Sequence, residues 1–212
     1  MVKRSSALLV AGLTAGAIGP ALFWLVVIVD GFTKAGYDAR TQTISELALG
    51  EHGWAQSTNF LLVGLLMLAF AVGLRLRFPA GKASTFGPPL IALFGLGLVV
   101  SGIFATDPPQ GGATSMTTSG AIHDFAFLLI LAAIVGACFV FARRFRREAT
   151  WRGYGLYSTI TGLLVLGLLA AFILQGDGAP VAGLLQRILV AVFFLWVEVI
   201  ALRAVRLTAG SR

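Results

Sequence analysis

Six long apolar stretches separated by short polar connections fill almost the whole chain: residues 7–29, 56–74, 88–104, 120–142, 154–174 and 181–202. A helix rises about 1.5 Å per residue and a bilayer's hydrocarbon core is about 30 Å thick, so runs of this length are suited to crossing it. None shows the two-residue alternation of a barrel strand, whereas a helix satisfies its own backbone in hydrocarbon. The pattern predicts an all-α fold: a polytopic bundle of six transmembrane helices in a single membrane domain spanning residues 1–212. The first run follows Lys3 and Arg4, the charged flank of a secretory signal. It is longer than a signal's apolar region and is expected to remain as a span.

Polar punctuation supports these boundaries. Ser57, Thr58 and Asn59 can cap the second run, and Thr117, Thr118 and Ser119 the fourth. Pro88 and Pro89 suit the first turn of the third, and Gly178 and Pro180 precede the sixth. The longest connection runs from Asp30 to Ala55. Within it, Thr43-Ile-Ser-Glu-Leu-Ala-Leu-Gly50 reads as a short amphipathic helix with Ile44, Leu47 and Ala48 on one face. Such a segment is expected to lie on the membrane surface or to lid the bundle.

Charge gives the predicted bundle a direction. Hydrophobic residues make up 58% of the chain and charged ones 12%, against about 25% charged in a typical soluble domain. Thirteen of the 16 Lys and Arg residues fall at the two termini and in the 75–82 and 143–152 connections, on alternate sides of successive spans. By the positive-inside rule both termini are expected in the cytoplasm, with the protein in the cell membrane. The net charge of +7 therefore reads as topology and contact with membrane lipids, and nucleic acid is not an expected partner. Six of the nine acids (Asp30, Asp38, Glu46, Glu51, Asp107 and Asp177) fall in the opposite, outer connections.

The groups that could carry chemistry gather at that outer end. His123 and Asp124 open the fourth run, where a carboxylate is favoured by the helix dipole and a histidine can hydrogen-bond, titrate or bind metal. Asp107 precedes Pro108 at the end of the third run, either as a helix exit or as a carboxylate at the bundle mouth. Gln186 and Arg187 begin the sixth. Arg187 is expected to face inward and pair with Asp107, Asp124 or Glu46, on one helical stripe with Glu198. Ser45 and Glu46 add a hydroxyl and a carboxylate in the outer loop, where a solvated surface is the alternative reading. Cys138, the single cysteine, lies in an apolar run and reads as packing. No zinc-protease, nucleophile-elbow or phosphate-loop motif occurs, and neither a metal nor a cofactor is expected.

Four short motifs, Thr43-Ile-Ser-Glu-Leu47, Gly102-Ile-Phe-Ala-Thr-Asp-Pro108, Gly120-Ala-Ile-His-Asp124 and Leu184-Leu-Gln-Arg-Ile188, carry a resemblance to the DUF998 family of prokaryotic multi-pass membrane proteins. The resemblance implies a bundle of about six helices and draws attention to Ser45, Glu46, Asp107, His123 and Arg187. The expected function is an outward-facing polar pocket formed by Ser45, Glu46, Asp107, His123, Asp124, Gln186 and Arg187, binding a lipid headgroup or a small polar ligand. The alternatives are a membrane hydrolase at the same site, with or without a metal, and a small-solute or proton-coupled transporter.

Overall fold

The computed structural model describes residues 2–108, 116–175 and 179–210, with side chains from Ser6 onward. Its six long helices are α1 (Val2–Thr33), α2 (Trp54–Arg77), α3 (Lys82–Ile103), α4 (Thr118–Phe145), α5 (Tyr154–Leu174) and α6 (Ala182–Ala209). Each is long and apolar enough to cross a membrane, and the described residues contain no strand. The chain is an integral, multi-pass membrane protein. Asp177, one of the acids expected outside, lies beyond the described residues.

Most helices run a few residues past their apolar stretches, α6 as far as Ala209, and two boundaries change the reading of particular residues. Asp30 belongs to the last turn of α1 rather than to the loop, and it is buried. Helix α3 starts at Lys82, so Pro88 and Pro89 sit inside it instead of opening it. Each proline deletes one backbone donor, but the carbonyls left over lie in the helix's first turns beside a polar loop, where the cost is small.

Consecutive helices pack side by side and α6 returns against α1, closing a ring. Missing side chains permit the closest crossings. A Cβ placed on Gly12 would lie 2.8 Å from the backbone of Gly73, and one on Gly64 would lie 2.7 Å from the carbonyl oxygen of Gly95. The α1–α2 and α2–α3 contacts are thus backbone on backbone, the packing mode that small residues allow in membranes. Large side chains fill the ring's interior, with Phe23 against Phe194 at 4.5 Å and Phe94 edge-on to Phe193 at 5.5 Å.

Both ends are stoppered. At the arginine-bearing end, a one-turn 3-10 helix (Ala149–Trp151) inserts Trp151, which is fully buried and stacks on Phe145 at 4.2 Å. Arg144 covers the same aromatic group, 4.6 Å above Phe78, and pairs with Glu148 at 2.7 Å. At the opposite end the 34–53 loop folds into the mouth of the ring as a plug.

Helix α5 is the exception to the close packing. Only 22% of its apolar window is buried, against 44–50% in the other five. Its buried residues, Gly155, Ser158, Thr161, Gly162 and Val165, all fall between 155 and 165, toward the arginine-bearing end. No residue from 166 to 174 is buried. Near the plug, therefore, α5 packs more loosely, through the half-buried Leu168, Leu169 and Phe172.

Candidate functional site

The plug is built from local hydrogen bonding before it makes any tertiary contact. Glu46 accepts from the Thr43 backbone N–H at 2.8 Å and the Thr43 hydroxyl at 2.9 Å, and its other oxygen accepts from Gln42. This reaches back across three residues in the manner of a capping box and starts the 3-10 turn Ser45–Ala48. Lys34 finishes it, donating to the carbonyls of Glu46, Leu47 and Leu49 at 2.6–3.1 Å. Asp38 accepts from the Arg40 N–H and the Thr41 hydroxyl, bonds that hold its carboxyl below the usual carboxylate range. The expected amphipathic helix is thus a single 3-10 turn. It lids the bundle rather than lying on the membrane surface, because Ile44 and Leu47 are buried in the core.

Helix α6 holds the plug in place. Its first N–H groups lack intrahelical partners, and those of Gly183 and Leu184 donate instead to the Thr41 and Arg40 carbonyls, at 3.2 and 2.9 Å. The approach is so close that a Cβ on Gly183 would overlap the Gln42 carbonyl. One turn later, Arg187 donates through Nη1 to the carbonyls of Ala39 and Gln42, both at 2.8 Å, and to Gly183 at 3.0 Å. Its Nη2 donates to the Tyr37 hydroxyl. Tyr37 in turn donates to the carbonyl of Thr43 at 2.7 Å. Burial pushes the Tyr37 phenol above its ordinary range, so the proton needed for that bond is retained at neutral pH. The carboxylate pairing expected of Arg187 is replaced by carbonyl and phenol acceptors. A planar guanidinium matches several oxygens at once, which a loop folded over a helix end supplies.

Beneath the plug, Ser45 meets His123. Its Oγ lies 2.8 Å from His123 Nε2, while His123 Nδ1 lies 2.8 Å from the carbonyl oxygen of Phe104. A carbonyl only accepts, so Nδ1 carries the proton; in the neutral ring Nε2 is then the acceptor for the Ser45 hydroxyl. Both residues are buried, at 8% and 3% exposure. A neutral hydrogen bond contributes only about 1 kcal/mol net, but leaving a buried partner unmatched costs about 1–3 kcal/mol.

The pair borders a cavity of about 30 Å³, room for a water or two. Its walls are mainly apolar, with Phe23 from α1, Phe60 from α2, Leu98 from α3, Phe127 and Ile130 from α4, and Phe193 from α6. Besides Ser45 and His123, its polar lining is Ser101 and Gln186. The Gln186 carbonyl oxygen accepts from the Ile44 N–H at 2.6 Å, which fixes the amide plane and makes the NH2 the donor end. No α5 residue lines the cavity, but Phe127 touches Phe172 of α5 edge-on, at 6.0 Å.

Ser45, His123 and Gln186 therefore converge on one cavity. The other expected site residues stand elsewhere. Glu46 and Arg187 secure the plug. Asp107 lies at the same end of the bundle, where it accepts from the Thr117 hydroxyl at 2.6 Å and backbone N–H at 2.8 Å, while Thr117 caps α4 through the Gly120 N–H. These bonds hold the Asp107 carboxyl below the usual carboxylate range. Asp124 is exposed and does not line the cavity. Sequence reasoning passed over Tyr37, Ser101, the Phe104 carbonyl and the Phe127–Phe172 pair. A lone tyrosine within a Gly/Asp-rich loop was the available cue for the first; a backbone carbonyl leaves none. Among the described residues, no three His, Cys, Asp or Glu side chains are grouped to hold a metal ion.

No curated protein and no solved structure matches the chain. A family model described as protein of unknown function (DUF998) matches residues 17–203, nearly the full length, and the chain belongs to that family.

Proposed function

We propose that this protein binds an amphipathic lipid at the plug end of the bundle, with its apolar part between α4, α5 and α6 and a hydrogen-bonding group against Ser45, His123 and Gln186. The observation that carries the reading is an apolar cavity with one polar end, beside a helix that packs loosely at that end. Sites for small molecules are mostly apolar with a few convergent polar groups, and this wall composition favours an amphipath over a fully polar solute. Phe127 is itself half-exposed, next to the loosely packed end of α5, and this is the side from which the bilayer meets the cavity wall. A cavity of 30 Å³ does not hold a lipid chain, so binding includes rotation of Phe127 away from Phe172.

The distribution of arginines supports placing the plug outward and the termini in the cytoplasm of a cell-membrane protein. In that orientation the ligand comes from the outer leaflet. Reconstitution into nanodiscs with a diacyl phospholipid carrying a photoactivatable group in its acyl chain tests the proposal. Crosslinks are expected on α4 and α6 around the cavity, concentrated at Phe127, Ile130 and Val190. Crosslinks spread evenly over the lipid-facing surface would refute it.

A further inference from the structure

The Ser45–His123 pair has a geometry that lipid binding alone does not require. The structure assigns to Ser45 the role of an acyl-accepting nucleophile and to His123 that of its general base, an activity towards carboxylic esters that deepens the lipid-binding reading and rests on it for its substrate. Three observations support the assignment. The hydroxyl and Nε2 are 2.8 Å apart, within the range required for proton transfer. The Phe104 carbonyl holds Nδ1–H, leaving the lone pair of Nε2 toward the serine, so a third group orients the base as in other activated nucleophiles. Both side chains also border an apolar cavity where an ester carbonyl and its acyl chain could be drawn from the bilayer.

The chemistry balances with water as the co-reactant. The Ser45 oxygen bonds to the ester carbonyl carbon as its proton passes to His123 Nε2. Collapse of the tetrahedral species breaks the bond to the alkoxy oxygen, which takes that proton and leaves as the alcohol. Water then attacks the acyl-serine, giving one proton to Nε2. The carboxylic acid departs and the proton returns to the Ser45 oxygen. The donor assigned to the developing oxyanion is the amide of Gln186, which lines the same cavity and whose oxygen is held by the Ile44 N–H.

The test is a fluorophosphonate probe applied to the full chain in detergent, with the adduct mapped by mass spectrometry. A covalent adduct on Ser45 is expected, lost completely in Ser45→Ala and formed at least about 100-fold more slowly in His123→Gln. Ser84→Ala, which removes a buried hydroxyl that does not line the cavity, is expected to label at the wild-type rate. A short-chain p-nitrophenyl ester should show a burst of one nitrophenol per chain, followed by slower turnover. An unlabelled Ser45 in a wild-type sample of unchanged thermal transition overturns the assignment. So does equal labelling of His123→Gln, a readout that a purely structural bond would leave unmoved. If His123→Gln does not fold, the burst and the Ser45 adduct in wild type decide the matter alone. Photocrosslinking on the same preparation separates the two claims: lipid crosslinks without a Ser45 adduct sink the nucleophile and leave the binding site standing, and an adduct without crosslinks does the reverse.

Discussion

The guanidinium of Arg187 lies 5.4 Å above the centre of the Tyr37 ring and also donates to that ring's hydroxyl. One side chain of α6 thereby fixes a loop residue 150 positions earlier in sequence, and through it the plug over the Ser45–His123 pair. Charge-assisted hydrogen bonds contribute about 1.5–3 kcal/mol each, and a cation over an aromatic face adds about 0.5–1 kcal/mol at a half-exposed site. Arg187→Ala is expected to loosen the plug by about 2–4 kcal/mol, since water compensates part of the loss. Limited trypsin digestion at Lys34 and Arg40 reads this directly: cleavage should accelerate by a factor of at least about 30. Arg187→Lys should recover less than half of the protection, because an ammonium cannot bridge the Ala39 and Gln42 carbonyls and the ring together. Wild-type digestion rates in both variants would show that the plug is held by other contacts.

Gly183 makes the same docking possible through the absence of a side chain. A methyl there would meet the carbonyls of Gln42 and Ala39, both backbone atoms that cannot rotate aside. Gly183→Ala should therefore destabilise the plug by about 1–3 kcal/mol, the usual range for overpacking. In the interior of an exposed helix the same change would stabilise by about 1 kcal/mol. The sign of the shift in thermal transition distinguishes the two outcomes: a rise would mean that the loop does not sit on α6 as described.

Asp107 gives a pH-dependent prediction. Its bonds to Thr117 hold the folded-state carboxyl below the unfolded value of about 3.9. The stabilisation is therefore present above that unfolded value and is lost as pH falls through the still lower folded one. Acidification from neutrality to about pH 5 should leave the start of α4 unchanged, with fraying setting in near and below about pH 4. Hydrogen exchange at residues 117–121 is the measurement. Asp107→Asn should show faster exchange there at every pH, with the acid-dependent step removed. A step that survives the substitution would assign it to another carboxyl.

The spans were legible because length and composition alone decide them: a run that must cross hydrocarbon can only be a helix, whatever its partners. The start of α3 was misplaced because Pro88 and Pro89 look like a first turn, and nothing local reveals that a helix can carry them one and a half turns in. Within the site, His123 stood out as a lone imidazole at a helix entrance. Ser45 and Glu46 were indistinguishable from a solvated loop, since their burial depends on the whole 34–53 segment folding into the ring. Arg187 was assigned carboxylate partners because charges are visible in a sequence and convergent carbonyls are not. The loose packing of α5 was hidden as well. Its residues 166–174 are as apolar as those of any packed helix, and only the geometry shows that none of them is fully buried.

That loose packing yields the prediction that bears most directly on function. Phe127 lines the cavity and meets Phe172, a contact between two half-buried rings that separates the cavity from the bilayer. If lipid enters between α4 and α5, ring size at these two positions controls access. Phe127→Ala removes the barrier and should raise acyl-chain photocrosslinking at Ile130 and Val190 several-fold, at a stability cost of about 1–3 kcal/mol for truncating a half-buried aromatic. Phe172→Ala should act in the same direction with a smaller cost, since its ring does not line the cavity. Phe127→Trp should reduce crosslinking below the wild-type level while preserving the thermal transition, which separates blocked entry from unfolding. Crosslinking must therefore fall from Phe127→Ala through wild type to Phe127→Trp, with Phe172→Ala also above wild type. Were crosslinking at Ile130 and Val190 indifferent to all of them, and altered instead by Gly183→Ala, the route to Ser45 would run through the plug from the aqueous side.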